Sequence, residues 1–226
     1  MPLPGPIASL LTAVVLLAAP SVSFEAPETW FITQNQHPLY HPEPAQPYNS
    51  NCGPAALAMA LKAYGLAPQG LGPRDLVRHV RRAMTGSDVD GSWTYPRQVR
   101  AAAEKFGLAA APVYGLEALR RAVRDRRHLV IANVNPGGVY DHLLSIPYQG
   151  GHFTVVVAEG GSGLVLNDPL ADRPALTVPV QTFQKALLAD LGPGIPAYEG
   201  GVELWRPAAR AASGQQSVFG LETHSR

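Results

Sequence analysis

The chain has one cysteine, Cys52, set in Asn51-Cys52-Gly53-Pro54 ahead of the apolar run Ala55 to Tyr64. A thiol attacks a carbonyl carbon as its thiolate, and the partial positive charge at a helix N-terminus favours that form. Pro54 suits the first turn of a helix and Gly65 its stop, so Cys52 is expected at or just before a helix N-terminus. The free amides there can donate to a developing oxyanion, and Gly53 lets the backbone approach a substrate closely. A nucleophilic cysteine needs a base, and the base needs an orienting group. Of 7 histidines, His152 follows Gly150-Gly151 and opens an apolar strand, while Asp168 closes the next strand in "LVLNDP". A hairpin across Gly160-Gly161-Ser162-Gly163 would set these two residues at neighbouring open ends, where the carboxylate can hold the imidazole in the tautomer that accepts from a thiol. Each residue also has a plainer reading: a packed core cysteine, a histidine capping a backbone group, and an Asn-Asp-Pro turn. His142, in "VYDHLL" beside Gly137 and Gly138, is a rival base that reads better as a contact from a mobile loop. His37 and His41 lie among prolines and read as solvated loop residues rather than a metal pair.

Composition narrows the chemistry further. With 226 residues, Lys+Arg 18 against Asp+Glu 17 and a net charge of +1, the chain has no bias towards nucleic acid and fits a peptide or protein partner better. A hydrophobic share of 46% excludes disorder of the whole chain. The single cysteine excludes an intramolecular disulfide, a cysteine-rich zinc site and an iron–sulfur cluster. No other His, Asp or Glu cluster has metal-ligand spacing, and no Gly-rich loop resembles a phosphate cradle.

The elements that must position these groups follow from periodicity. Helices are expected at Ala55 to Tyr64, Pro73 to Met84, Tyr95 to Phe106 and Leu116 to Arg127. On the second, Leu76, Val77 and Val80 mark the inner side, and Arg74, Arg78, Arg81 and Arg82 read as a solvated face. β-branched runs then predict strands at Leu129 to Val134, Phe153 to Ala158 and Leu164 to Leu166, a helix at Val180 to Ala189 and a last strand at Gly201 to Trp205. Helices first and a mostly antiparallel sheet after is the α+β class. At the start, the apolar run Ile7 to Ala19 followed by Ser21-Val22-Ser23 resembles a secretory signal, although no Lys or Arg precedes it. The run is shorter than the ~20 residues of a membrane span, so export rather than anchoring is expected. The expected organisation is a signal segment over 1–23, an extended Pro-rich lead-in over 24–45, one domain over 46–206 and a disordered tail over 207–226.

Taken together, "QPYNSNCGPAALAMALKAYG", "GGHFTVVVA" and "LVLNDP" resemble papain-like cysteine peptidase family 39, whose best-known members remove double-glycine leaders from bacteriocin precursors. The resemblance runs from about Gln46 to Trp205, and "GSWTYPRQVRAAAEKFGL" is similar to the "GNW" helix segment of stand-alone bacterial members. It implies a papain-like α+β fold with a helical amino-terminal half packed on a mostly antiparallel sheet. Residue by residue, it implies Cys52 as nucleophile, His152 as base and Asp168 as orienting acid. Gln46, six residues ahead of the cysteine, takes the place of the oxyanion donor. The implied activity is thiol-dependent hydrolysis of peptide bonds, which needs no metal or organic cofactor. Acyl transfer or deamidation through the same thioester, and peptide binding without catalysis, stay open as alternatives. Transporter-borne members carry a membrane domain and an ATPase that are not read in this sequence, so export-coupled leader processing is not implied.

Overall fold

The computed structural model describes residues 24, 26–36, 50–89 and 93–208. Among them three helices come first, α1 (Cys52–Ala63), α2 (Pro73–Thr85) and α3 (Pro96–Lys105). Then follow β1 (Ala109–Tyr114), α4 (Leu116–Arg124), β2 (His128–Val134), β3 (His152–Gly160), β4 (Gly163–Asn167), β5 (Leu176–Val178), α5 (Val180–Leu188) and β6 (Gly200–Trp205). The strands make one sheet in the order β1-β6-β2-β3-β4-β5, with every neighbouring pair antiparallel. This is the expected α+β class. The predicted signal segment, His37, His41, Gln46 and the tail from 209 onward lie outside the described residues. Among the described residues, no helix is long and apolar enough to cross a membrane.

Helices cover both faces of the sheet. Leu129 and Ile131 of β2 and Phe153, Val155 and Val157 of β3 pack with α1, α2 and α3 in one core. Val130, Ala132 and Val134 of β2 and Val156 of β3 turn the other way, towards α4 and α5. Strands buried on both sides have no solvent face to keep polar, which is why they read as continuous apolar runs. α1 is likewise enclosed, with every residue from Gly53 to Leu61 buried, so its sequence shows little amphipathic contrast.

Two strands escaped the pattern. β1, sequence AAAPVY, lacks β-branched alternation and contains Pro112, which a sheet tolerates at an edge, and β1 is an edge strand. β5 is three residues long. The lead-in also differs from expectation. Its described part is not an extended approach to a domain beginning at 46: Pro27–Thr29 form a 3₁₀ turn, and Phe24, Trp30 and Ile32 are buried in the same core as α1. Three apolar side chains without a regular period can enter a core without forming an element, so periodicity did not reveal them.

Candidate active site

Cys52 is the first residue of α1 and is half-buried against the core beneath. The helix begins here because Asn51 leaves the helical conformation and its carbonyl accepts from Ala55 N–H at 2.8 Å. Gly53 is required for a steric reason: a Cβ there would collide with the Thr94 hydroxyl and crowd the Phe153 ring at 3.2 Å. The first turn of α1 therefore lies directly against Thr94, ahead of α3, and against the opening of β3.

His152 is the first residue of β3, and the hairpin carries Asp168 to it. Val155 pairs with Asn167, the last ladder residue of β4, so the next residue emerges beside the start of β3. His152 Nε2 and Asp168 Oδ1 lie 2.8 Å apart, with both side chains essentially out of water. Asp168 has two further donors, Leu170 N–H to Oδ1 at 2.9 Å and the buried Tyr140 hydroxyl to Oδ2 at 3.4 Å. The Tyr148 ring is tilted against His152 with centroids 5.6 Å apart, and its hydroxyl donates to Gly151 O at 3.2 Å.

The electrostatics follow from this burial. Desolvation alone would discharge His152, but the negative charge and hydrogen bond of Asp168, with a smaller contribution from the Cys52 side chain, outweigh it and raise its pKa from 6.5 to about 10. Tyr140 is pushed well above the usual tyrosine range by burial and by the Asp168 charge, so it remains a neutral donor. With Nε2 engaged by Asp168, the other ring nitrogen, Nδ1, is buried and makes no conventional hydrogen bond.

The Cys52 end has its own support, and here one expectation is corrected. Arg74, Arg78 and Arg82 face solvent, but Arg81 is fully buried. Its guanidinium donates to Ser50 O and Asn51 Oδ1 at 3.1 Å each and to Val89 O at 2.8 Å, tying down the two residues that precede Cys52. Its position one turn after Val77 and before Met84 placed it on the apolar stripe, a signal that charge alone concealed. The 137–150 segment is also better anchored than a mobile loop. Tyr140 is buried, and the amides of Val139, Tyr140 and Asp141 all donate to Pro136 O. His142 is exposed on a 3₁₀ turn and is not among the groups bonded to Asp168 or His152. Among the described residues, no three His, Cys, Asp or Glu side chains gather as a metal site.

A family model, that of the Peptidase_C39 like family, matches residues 29–189. No curated protein matches the chain. Among solved structures, a double glycine motif protease from an AMS/PCAT transporter, determined in complex with the leader peptide, is 20% identical, with 72% of this chain and 89% of that chain covered at a TM-score of 0.45. The peptidase domain of Streptococcus ComA, a bifunctional ABC transporter involved in quorum sensing, is 18% identical, with coverage of 76% and 99% and a TM-score of 0.48. A C39-like peptidase from Bacillus anthracis is 14% identical, with coverage of 79% and 98% and a TM-score of 0.49.

Proposed function

The chain belongs to the Peptidase_C39 like family, and from that premise we propose that it is a thiol-dependent hydrolase cleaving peptide bonds through an acyl-enzyme on Cys52. The observation that carries this reading is the buried His152–Asp168 pair, 2.8 Å apart, whose remaining ring nitrogen is left for the thiol at the start of α1.

Asp168 accepts from Nε2–H and so fixes the tautomer in which Nδ1 can accept a proton. Nδ1 takes the proton from Sγ, and the sulfur attacks the carbonyl carbon of the scissile bond. The backbone N–H of Cys52, at the open end of α1, donates to the resulting oxyanion, and Gln46 joins it in the role the resemblance implies. As the tetrahedral intermediate collapses, the imidazolium gives its proton to the departing amine nitrogen. Water then attacks the thioester with His152 as base, releasing the acid and restoring the thiol.

The test is alkylation of Cys52 by iodoacetamide at neutral pH, together with turnover of a diverse peptide pool followed by mass spectrometry. The proposal expects fast labelling in the wild type, slow labelling in His152→Ala, and new peptide termini only with the wild type. Equal, sluggish labelling of both proteins with no cleavage would overturn it. Release of the acyl group by added amines and not by water would assign the site to acyl transfer instead. We further propose export, supported by the apolar run Ile7 to Ala19 before Ser21-Val22-Ser23. Sequencing the amino terminus of the mature protein checks this: an intact Met1 in the cytoplasmic fraction alone would refute it.

A further inference from the structure

Asp168 stands just beyond the last ladder residue of β4, so no strand pairing fixes the backbone that carries it. That backbone is held from outside the hairpin. Gln34 N–H and Thr33 Oγ1 both donate to Pro169 O, at 2.8 and 3.1 Å, and Asn35 Nδ2 donates to Leu170 O at 3.3 Å. The grip is reciprocated, because Asn167 Nδ2 donates to Pro27 O at 2.9 Å. Trp30, Ile32, Thr33 and Gln34 are all buried, so the segment is seated in the body of the protein rather than laid over it. From the opposite side, Ser145 N–H and Oγ donate to Leu170 O at 2.9 and 2.7 Å.

These contacts bear on the reacting groups. Pro169 has no N–H to donate and Asp168 O is taken within the turn by Ala171 N–H at 3.0 Å, so the carbonyls of Pro169 and Leu170 are the handles through which neighbours can fix it. A carboxylate that orients a catalytic imidazole must be held to within about 0.5 Å, and a donor pair on the next carbonyl supplies that constraint. We propose that residues 26–36 are a positioning element of this site, with Thr33 and Asn35 the positioning residues that hold the Asp168-Pro169-Leu170 turn in register with His152. The inference rests on the assignment of Cys52, His152 and Asp168 given above. The segment is then part of the working enzyme and not a removable inhibitory lead-in, and amino-terminal processing must stop upstream of it for the site to function.

The experiment measures the pH profile of Cys52 alkylation by iodoacetamide in the full chain carrying Thr33→Val with Asn35→Ala, beside wild type, Thr33→Ser, Asp168→Asn and His152→Ala, with a thermal melt for each. The proposal expects Thr33→Val with Asn35→Ala to lose about tenfold in rate constant at about pH 6 and to move towards the Asp168→Asn profile, while Thr33→Ser stays at wild type. A folded double variant that keeps the wild-type profile and merely melts earlier overturns the inference and leaves the peptidase assignment untouched. A wild-type profile that His152→Ala does not alter removes the assignment itself and the inference with it. Should the double variant fail to fold, Asn35→Ala alone decides in the same way, because Asn35 is exposed and its loss leaves the core intact.

Discussion

At the first residue of β3, His152 meets Asp168 with side chains only 1% and 0% exposed, whereas near the strand's other end Glu159 accepts from Arg120 and Arg124, which are 22% and 52% exposed. Each sets one residue of β3 against opposite charge from another part of the chain, and each shifts a pKa. Glu159 is held at about 2, first by its hydrogen bond to Arg120 and then by that to Arg124. Water reaches the outer group chiefly through Arg124, while Arg120 and Glu159 are only 22% and 13% exposed, so the group is partly screened and joins α4 to β3. The inner pair has no water to share its charge with. Its shift is a raised proton affinity at His152, and removing either partner strands the other.

That contrast is broken most sharply at the inner end. His152→Ala is expected to reduce peptide turnover by roughly 10³-fold or more, and Asp168→Asn, which keeps the shape but no longer holds the tautomer, by about 10²-fold or more. Steady-state kinetics on any cleaved peptide, with the loss in kcat rather than KM, measures both. Next in size comes Arg81→Met, which leaves Ser50 O and Asn51 Oδ1 without the charged donor and should cost about 3 kcal/mol of stability by urea unfolding. It should also slow Cys52 alkylation even at temperatures where the variant is folded.

A pH-dependent effect follows from linkage. Because the folded pKa of His152 is raised from 6.5 to about 10, its contribution to stability is complete below 6.5 and disappears as pH climbs through 10. The melting temperature of the wild type should therefore decline over that interval, and Asp168→Asn should flatten the decline. Glu159 has the opposite sign, its contribution being present above pH 4.5 and lost as pH falls towards 2. The smallest expected effect is that of Glu159→Gln at neutral pH, which should leave turnover unchanged and move the melting temperature by no more than about 2 °C, less still in high salt. A large loss of activity there would erase the distinction between the two ends of β3.

Much of this arrangement was legible in local sequence. The hairpin Gly160-Gly161-Ser162-Gly163 announces β3 and β4 and puts His152 and Asp168 at neighbouring open ends, while a register shift between Val156 and Ala158 that the sequence does not announce sets their final offset. Pro54 and the apolar run after it place Cys52 at a helix start. Other features were hidden for identifiable reasons. Arg81 carries a charge that argues for solvent, yet a buried guanidinium that donates to Ser50 O, Asn51 Oδ1 and Val89 O is well satisfied. Tyr140 sits in a Gly-rich stretch that reads as loop, and only the packing of the 136–150 segment brings its hydroxyl to Asp168. β1 has no strand pattern of its own because it is Ala-rich and contains Pro112, and its partner β6 lies far away in sequence.

The sequence by itself determined the chemistry on offer: one thiol at a helix start, one histidine and one carboxylate at the two open ends of a hairpin, and a family pattern joining them. Those features depend on neighbours in the chain, where capping, turns and register act over a few residues. Tertiary structure decided how the groups are held. The buried Arg81 behind Cys52, Tyr140 on Asp168, and residues 26–36 gripping the turn after β4 all join positions far apart in sequence. Such contacts are set by which surfaces exclude water together; local spacing marks Arg81 as inward-facing but names none of these partners.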